Sequence, residues 1–456
     1  MSDLFEALEG ICGAANVELG ESASDDYQHD ECLTAEWSTP EVVVRPGNAA
    51  EVAAVMAHAN ANGIAVTGRG AGTGLSGGCV PREGGILVSF ERMNAVLEID
   101  IDNHVAVVQP GVTLDQLDAL LAPHKLVYPV FPGEYSASLG GNVNTNAGGM
   151  RAVKYGVTRN NVLGVEAVLA TGETIRTGGK IVKTSTGYDL TQLIIGSEGT
   201  LALVTEATLK LQPRLEHAAT ILAPFATLDG VTAAVPRIVD SGLGPQILEY
   251  IDLLTMAAMT ASGELDLGIP QSVKDSATAY LVVVLESTHQ DRLDGDIEAL
   301  GMLLGDLGAT DVYVLPAGAA TQLIEAREKA FWLAKANGAN EVVDVVVPRA
   351  SIPEFMERVG VLASESGSWI AGCGHAGDGN VHMGIFQSDP EVLHEVMVGL
   401  YRIGMELGGA ISGEHGLGTA KKAYFHELED PNKIALMRRI KAAFDPNGIL
   451  NPGAVL

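Results

Sequence analysis

Residues 69–78 read RGAGTGLSGG, with glycine at five of the ten positions and Ala, Thr and Ser among the others. Lacking Cβ atoms, such a loop can bring several backbone N–H groups onto an anion. Its single charge, Arg69, suits phosphate. The apolar run 64–67 leads into it as a strand would. We read the stretch as a cradle for the diphosphate of a nucleotide cofactor, with a plain surface loop as the competing reading. Gly72 to Gly77 also fits G-x-G-x-x-G, and Glu98 lies about 20 residues on, as in doubly wound dinucleotide-binding folds. That pattern needs a helix opening at the third glycine. Here Pro81, Gly84 and Gly85 follow, and then the strand-like Ile86–Ser89, so no helix fits. The expected fold is α+β and not a Rossmann fold.

The chain has 456 residues, enough for two or three domains, and 57 acidic against 28 basic residues give a formal charge of -29. That field opposes nucleic acid and anionic membranes. An anionic substrate would need local positive charge. Cys12, Cys32, Cys79 and Cys373 form no C-x-x-C pair and predict neither disulfides nor a zinc ribbon. Leu4, Phe5, Leu8 and Ile11, interspersed with Asp3, Glu6 and Glu9, predict a short amphipathic helix and not a signal peptide. No apolar run approaches the roughly 20 residues of a membrane span. We expect a soluble, cytoplasmic protein with no transmembrane segment.

From residue 42 the pattern mixes strands and helices. Val42–Val44 reads as a strand. Asn48 and Glu51 predict the start of a helix that Gly63 ends. Strands are expected over 96–101 and 105–108, and a helix over 113–121. Residues 133–149 (GEYSASLGGNVNTNAGG) and 185–206 are again rich in glycine and small polar residues, and are read as irregular binding segments, the latter ending in a strand. Three such segments in one α+β region predict one extended ligand lying across them. Strands near 218–223 and 280–285 and helices near 228–240 and 291–307 predict a second, α/β layer domain, and 431–444 reads as a helix.

Two further motifs carry chemistry. His375 and His382 lie in GHAGDGNVH, and Glu414 and His415 in SGEHG. Two imidazoles and a carboxylate suit an ion of the Zn²⁺ or Mn²⁺ type. Spacing alone leaves this open against structural histidines in a turn. Asp378 and Asn380 read as turn formers or partners of the histidines. Arg327, in EAREKAFW, reads on its own as a surface arginine of a helix.

The order RGAGTGLSGG, PGEYSASLGGNVNTNAGG, IGSEGTL, GHAGDGNVH, SGEHG and a closing LNPG resembles the FAD-dependent D-2-hydroxy acid dehydrogenases of the vanillyl-alcohol oxidase/p-cresol methylhydroxylase superfamily, from about residue 40 to the end. The resemblance implies a two-subdomain FAD-binding domain over 1–213, an α/β substrate domain with a metal site over 214–420, and a C-terminal segment, 421–456, returning to the FAD domain. It implies that Arg69, Gly70, Ala71, Gly72, Thr73, Gly74, Leu75, Ser76 and Gly77 hold the FAD pyrophosphate. Pro132, Gly133, Ser138, Gly140, Gly141, Asn146 and Gly149 would line the flavin and ribityl chain. Glu198, Gly199 and Val204 would close around the adenine end, and Asn451 would return to the flavin. The first loop holds no histidine, so FAD is expected noncovalently, with Cys79 a packed thiol.

The same resemblance implies that His375, His382 and Glu414 ligate a divalent metal, Zn or Mn. His415 would be the base and Arg327 the clamp on the substrate carboxylate, so that substrate is met by Arg327, His375, His382 and His415. Phe331 and Val342 fall where the 2-hydroxyglutarate enzymes of the family carry a threonine and a lysine, with Lys335 a cation that could compensate. Gly384 falls where those enzymes have an asparagine. The departure favours a small anionic 2-hydroxy acid with a short or apolar side chain. The electron acceptor is left open among a quinone, an electron-transfer flavoprotein, a cytochrome and oxygen, and a homodimer is left open too. A metallohydrolase, or a flavin subunit that only passes electrons within a complex, are the readings from other classes.

Overall fold

The computed structural model describes residues 3–261 and 265–456. They form two compact units, the first of residues 3–147, 157–214 and 414–456, the second of residues 148–156, 215–261 and 265–413. The short segment 148–156 thus belongs with the second unit, and the chain re-enters the first at Glu414, not at 421.

In the first unit, β1 (Val17–Leu19), β2 (Val42–Val44), β3 (Val66–Arg69) and β4 (Ile86–Ser89) form a sheet ordered β1-β2-β4-β3, with β2 and β3 both parallel to β4. The helix Ala49–Asn62 links β2 to β3. Asn48 Oδ1 accepts the N–H of Glu51, and Glu51 in turn accepts the N–H of Gly47 at 2.7 Å. Gly63, at φ 64°, ends the helix in the left-handed region that a Cβ disfavours. Val52, Val55, Met56 and Ala59 bury its apolar face together with Leu4, Phe5 and Leu8 of the helix Asp3–Cys12. Burial of this kind contributes roughly 1.5–3 kcal/mol per large side chain. β3 runs directly into the glycine loop, and the C-terminal segment completes its edge, with Val66 N–H donating to Ile449 O at 2.8 Å and Asn451 N–H to Val66 O at 2.7 Å. A second sheet is built from β5 (Val96–Asp100), β6 (Val105–Val108), β7 (Val162–Val168), β8 (Thr174–Gly178) and β9 (Leu203–Lys210), ordered β5-β6-β9-β7-β8.

Residues 133–149 are not irregular throughout. Leu139–Thr145 is a helix, capped by Ser138, whose Oγ accepts the N–H of Gly141 at 3.3 Å. Gly140, which argues against a helix by propensity, is required by packing. A Cβ on Gly140 would lie 2.9 Å from Pro110 Cα.

The second unit is a seven-stranded, wholly antiparallel sheet. Its strands are β10 (His217–Phe225), β11 (Ile247–Asp252), β12 (Ala279–Ser287), β13 (Tyr313–Val314), β14 (Glu341–Val346), β15 (Trp369–His375) and β16 (Asn380–Phe386), ordered β13-β10-β12-β11-β15-β16-β14. Register decides what each face carries. Cys373 pairs with Ile251 and with His382, which pairs with Asp344, while His375 pairs with Asn380. With a side-chain period of two, Glu249, Ile251, Cys373, His375, His382, Asp344 and Val342 share one face. Leu222, Ile251, Val282 and Cys373 form an apolar core there with Met256, Met259 and Leu323 from helices Leu253–Thr260 and Ala317–Glu328. The polar residues lie beside this core.

Candidate active site

In the first unit the three glycine-rich segments border one cleft, with about 1230 Å³ of empty space when its open mouth is included. Its walls take in Arg69 to Ser76, Pro132, Ser138, Gly140, Gly141, Glu198, Gly199 and Val204, all read from the sequence as cofactor contacts, and also Glu414 and His415, which were read as metal ligand and base. Asp30, Phe90, Asn142 and Asn144 border it as well and were not expected. Gly77, Gly133, Asn146 and Asn451 are not part of that lining, and Gly149 belongs to the second unit. Asn146 is the helix C-cap at φ 54°.

The loop is held from behind by two buried charges. Arg69 donates to His29 O at 2.6 Å and to Cys79 Sγ at 3.5 Å, so its guanidinium is engaged within the protein. Asp30 accepts the N–H of Cys32 at 3.1 Å and backbone hydrogen bonds from Cys79 and Gly77. Burial raises the Asp30 pKa, and those N–H bonds and Arg69 hold it back. Burial likewise pushes the Cys79 thiol up to about 12, with Asp30 adding to it, which keeps that thiol protonated and unreactive. The front of the loop is fixed by Ser138, whose Oγ accepts Ala71 N–H at 3.2 Å while capping the following helix.

Glu198, in the cleft wall, also braces a neighbouring loop. Its carboxylate accepts the N–H groups of Leu417 at 2.8 Å and Gly418 at 2.7 Å. Ser76 Oγ donates to the carbonyls of His415 and Gly416, both at 3.0 Å. Residues 415–418 are therefore tied to the glycine loop and to Glu198. Asn451 locks the same corner, its Nδ2 donating to Gly78 O at 2.7 Å and Glu198 O at 2.8 Å.

In the second unit the two histidines project from a β-hairpin. His375 ends β15, His382 lies in β16, and their rings are 4.7 Å apart at 77°. Asp378 shapes the turn by accepting Asn380 N–H at 3.1 Å. Beside them lies Glu249, fully buried in β11. Its Oε1 is 2.6 Å from His375 Nδ1, and its Oε2 is 2.7 Å from Arg327 Nη2. Burial alone would raise the Glu249 pKa, but His375, Arg327 and His382 together bring it below its ordinary value. Arg327 is thus a buried ion-pair partner at 7 % exposure and not a surface arginine. Asp344, opposite His382, accepts Ser412 Oγ–H at 2.9 Å and Gly413 N–H at 3.0 Å. Val342 shares that sheet face, and half-buried Phe331 packs edge-on against Trp332. Lys335 is exposed, with its ammonium 5.1 Å from the Trp332 ring centre. Glu249 and Asp344 escape a sequence reading because each sits in an apolar strand. A carboxylate set among the apolar residues of ILEYID or EVVDVV is the only signal they give.

Residues 40–178 match the FAD binding domain family, and residues 214–455 match the family of FAD linked oxidases, C-terminal domain. The chain belongs to the FAD-linked oxidases. It is 59% identical over 455 residues to an uncharacterized FAD-linked oxidoreductase of Mycobacterium tuberculosis, covering 100% of this chain and 99% of that one. It is 40% identical to a D-lactate dehydrogenase of Archaeoglobus fulgidus (95% and 96% covered). It is 36% identical to glycolate oxidase subunit GlcD of Bacillus subtilis (99% and 96% covered). Among solved structures, p-cresol methylhydroxylase superposes with a TM-score of 0.81 at 17% identity, over 99% of this chain and 96% of that one. The fold of this FAD-linked oxidase is thus the vanillyl-alcohol oxidase/p-cresol methylhydroxylase type. It is an oxidoreductase of the group that contains D-lactate, glycolate and D-2-hydroxyglutarate dehydrogenases. The cleft fits the family's FAD. Its glycine walls leave backbone exposed, and the buried Asn142 Nδ2 in its lining meets no hydrogen-bond partner among the described residues. Among the described residues no helix is long and apolar enough to cross a membrane.

Proposed function

We propose that this FAD-linked oxidase converts a D-2-hydroxy acid with a short or apolar side chain into the 2-oxo acid, as a cytoplasmic enzyme with noncovalently held FAD. The observation that carries the reading is the buried Arg327–Glu249–His375 array beside His382. A fixed guanidinium next to two imidazoles suits a carboxylate that bears an oxygen on the neighbouring carbon. A hydrolase reading leaves the long cleft unexplained, and an electron-passing subunit has no use for the buried array.

Arg327 holds the C1 carboxylate. His375 and His382 are the two nitrogen ligands of a divalent ion. Glu414 is the third ligand, and it follows Gly413, which is anchored to Asp344 opposite His382. The donor set of two imidazoles and a carboxylate suits Zn²⁺ or Mn²⁺. His415 accepts the proton leaving the C2 hydroxyl, a task matched to imidazole near neutrality. When bound, the ion supplies positive charge that lowers the hydroxyl pKa and FAD supplies the acceptor for the hydrogen and electron pair on C2. The final electron acceptor would be a quinone, an electron-transfer flavoprotein, a cytochrome or oxygen.

Val342 and Phe331 offer nothing to a second carboxylate, and burying one unpaired against them is costly. D-lactate, D-2-hydroxybutyrate and D-2-hydroxyisocaproate should therefore exceed D-2-hydroxyglutarate in kcat/KM with an artificial acceptor. A tenfold lead for D-2-hydroxyglutarate would reverse the substrate assignment and point to Lys335 or another cation as a second clamp.

A further inference from the structure

Glu249 is assigned no part in the chemistry above, yet one fully buried carboxylate meets two of its groups. Oε2 faces Arg327 Nη2 at 2.7 Å, and Oε1 faces His375 Nδ1 at 2.6 Å. Both side chains beside it are themselves buried, Arg327 at 7 % and His375 at 6 % exposure. We propose that Glu249 is a positioning residue that fixes the Arg327 guanidinium and the His375 tautomer together, and so ties carboxylate recognition to metal affinity. The inference rests on reading His375 as a metal ligand through Nε2.

The chemistry follows from donor and acceptor counts. A carboxylate only accepts, so a neutral His375 must carry its proton on Nδ1, which leaves the Nε2 lone pair for a metal. Arginine only donates, so the atom of residue 249 that faces it must be an oxygen. Glutamate meets both demands because its two oxygens are equivalent. Glutamine cannot. In Glu249→Gln the amide oxygen turns to Arg327, whose full positive charge attracts it more strongly than the neutral imidazole does. The amide NH₂ is left facing His375 Nδ1, which must then accept. The proton moves to Nε2, and the ligand lone pair is lost.

The test compares wild type, Glu249→Gln and Glu249→Asp, each purified with FAD. Zn²⁺ affinity is measured by chelator competition without substrate. The expected result is a 10- to 100-fold loss in Glu249→Gln, with affinity partly recovered in Glu249→Asp, and with FAD content and thermal unfolding showing each variant folded. Affinity in Glu249→Gln within threefold of wild type would overturn the proposal. In parallel, ¹⁵N histidine spectra of the metal-free proteins at pH 8 read the tautomer directly. Wild type should show His375 protonated on Nδ1 and Glu249→Gln on Nε2, and the same tautomer in both overturns the proposal. Wild type that binds no divalent ion would instead defeat the metal reading, leaving the tautomer comparison to decide the role of Glu249.

Discussion

Gly70 and Ser138 join the glycine loop to the helix Leu139–Thr145, and a double-mutant cycle on this pair measures how firmly. An alanine Cβ at position 70 would stand inside the contact distance of Ser138 Oγ and 3.3 Å from Ser138 Cβ. That oxygen makes two hydrogen bonds, to Ala71 N–H at 3.2 Å and to Gly141 N–H at 3.3 Å. Ser138→Ala removes both. Losing the cap costs about 1 kcal/mol, and losing the partner of Ala71 N–H costs about another 1 kcal/mol. Gly70→Ala can be relieved only by swinging the hydroxyl away, which forfeits the same two bonds, so it also costs about 2 kcal/mol. In the double variant the obstructing oxygen is gone, and the total should stay near 2 kcal/mol instead of doubling. At roughly 2–4 °C per kcal/mol for a unit of this size, each variant should lose about 4–8 °C. The assay is thermal unfolding of apo- and FAD-loaded protein, with flavin fluorescence reporting release. Additive losses, or a Gly70→Ala variant as stable as wild type, would refute this account of the loop.

Two other outcomes follow from the same structure. His415→Asn should keep FAD and slow flavin reduction by about 10² to 10⁴, the usual contribution of a positioned base; reduction within a few-fold of wild type would assign the proton elsewhere. Burial raises the thiols of Cys12 to about 11 and of Cys79 and Cys373 to about 12, from 9.0. Above pH 9 the unfolded chain releases thiol protons that the folded protein keeps, so stability falls as pH rises, by up to about 1.4 kcal/mol per pH unit per thiol. Urea titrations at pH 8, 9 and 10 should show this slope, and Cys79→Ala should reduce it by the share of one thiol; an unchanged slope would contradict the burial argument.

The cofactor half of the molecule is readable from the sequence because glycine carries positional information. RGAGTGLSGG without a following helix excludes one nucleotide fold, and three such segments predict a shared cleft. What escapes is how the polar side chains are used. Arg69 reads as a phosphate ligand by type, and its protein partners, His29 O and Cys79, are set by tertiary packing that no local pattern shows. Glu198 is distant in sequence from the 417–418 amides it holds. The helix Leu139–Thr145 is hidden because Gly140 answers to Pro110, which no local pattern reveals. In the second unit, Arg327 on its own reads as a surface residue, and only strand register brings Glu249 beside His375. Spacing of seven between the histidines suggests a turn, and β15 and β16 supply it as a hairpin.

The most direct measurement is an anaerobic single turnover. Purified protein carrying FAD is mixed with D-lactate, L-lactate or buffer while the flavin's visible absorbance is followed and the 2-oxo acid is counted. The account predicts that D-lactate bleaches the flavin and yields one pyruvate per FAD, and that L-lactate and buffer do neither. Flavin that dithionite bleaches but that stays oxidised with D-lactate, D-2-hydroxybutyrate and D-2-hydroxyisocaproate alike would contradict it.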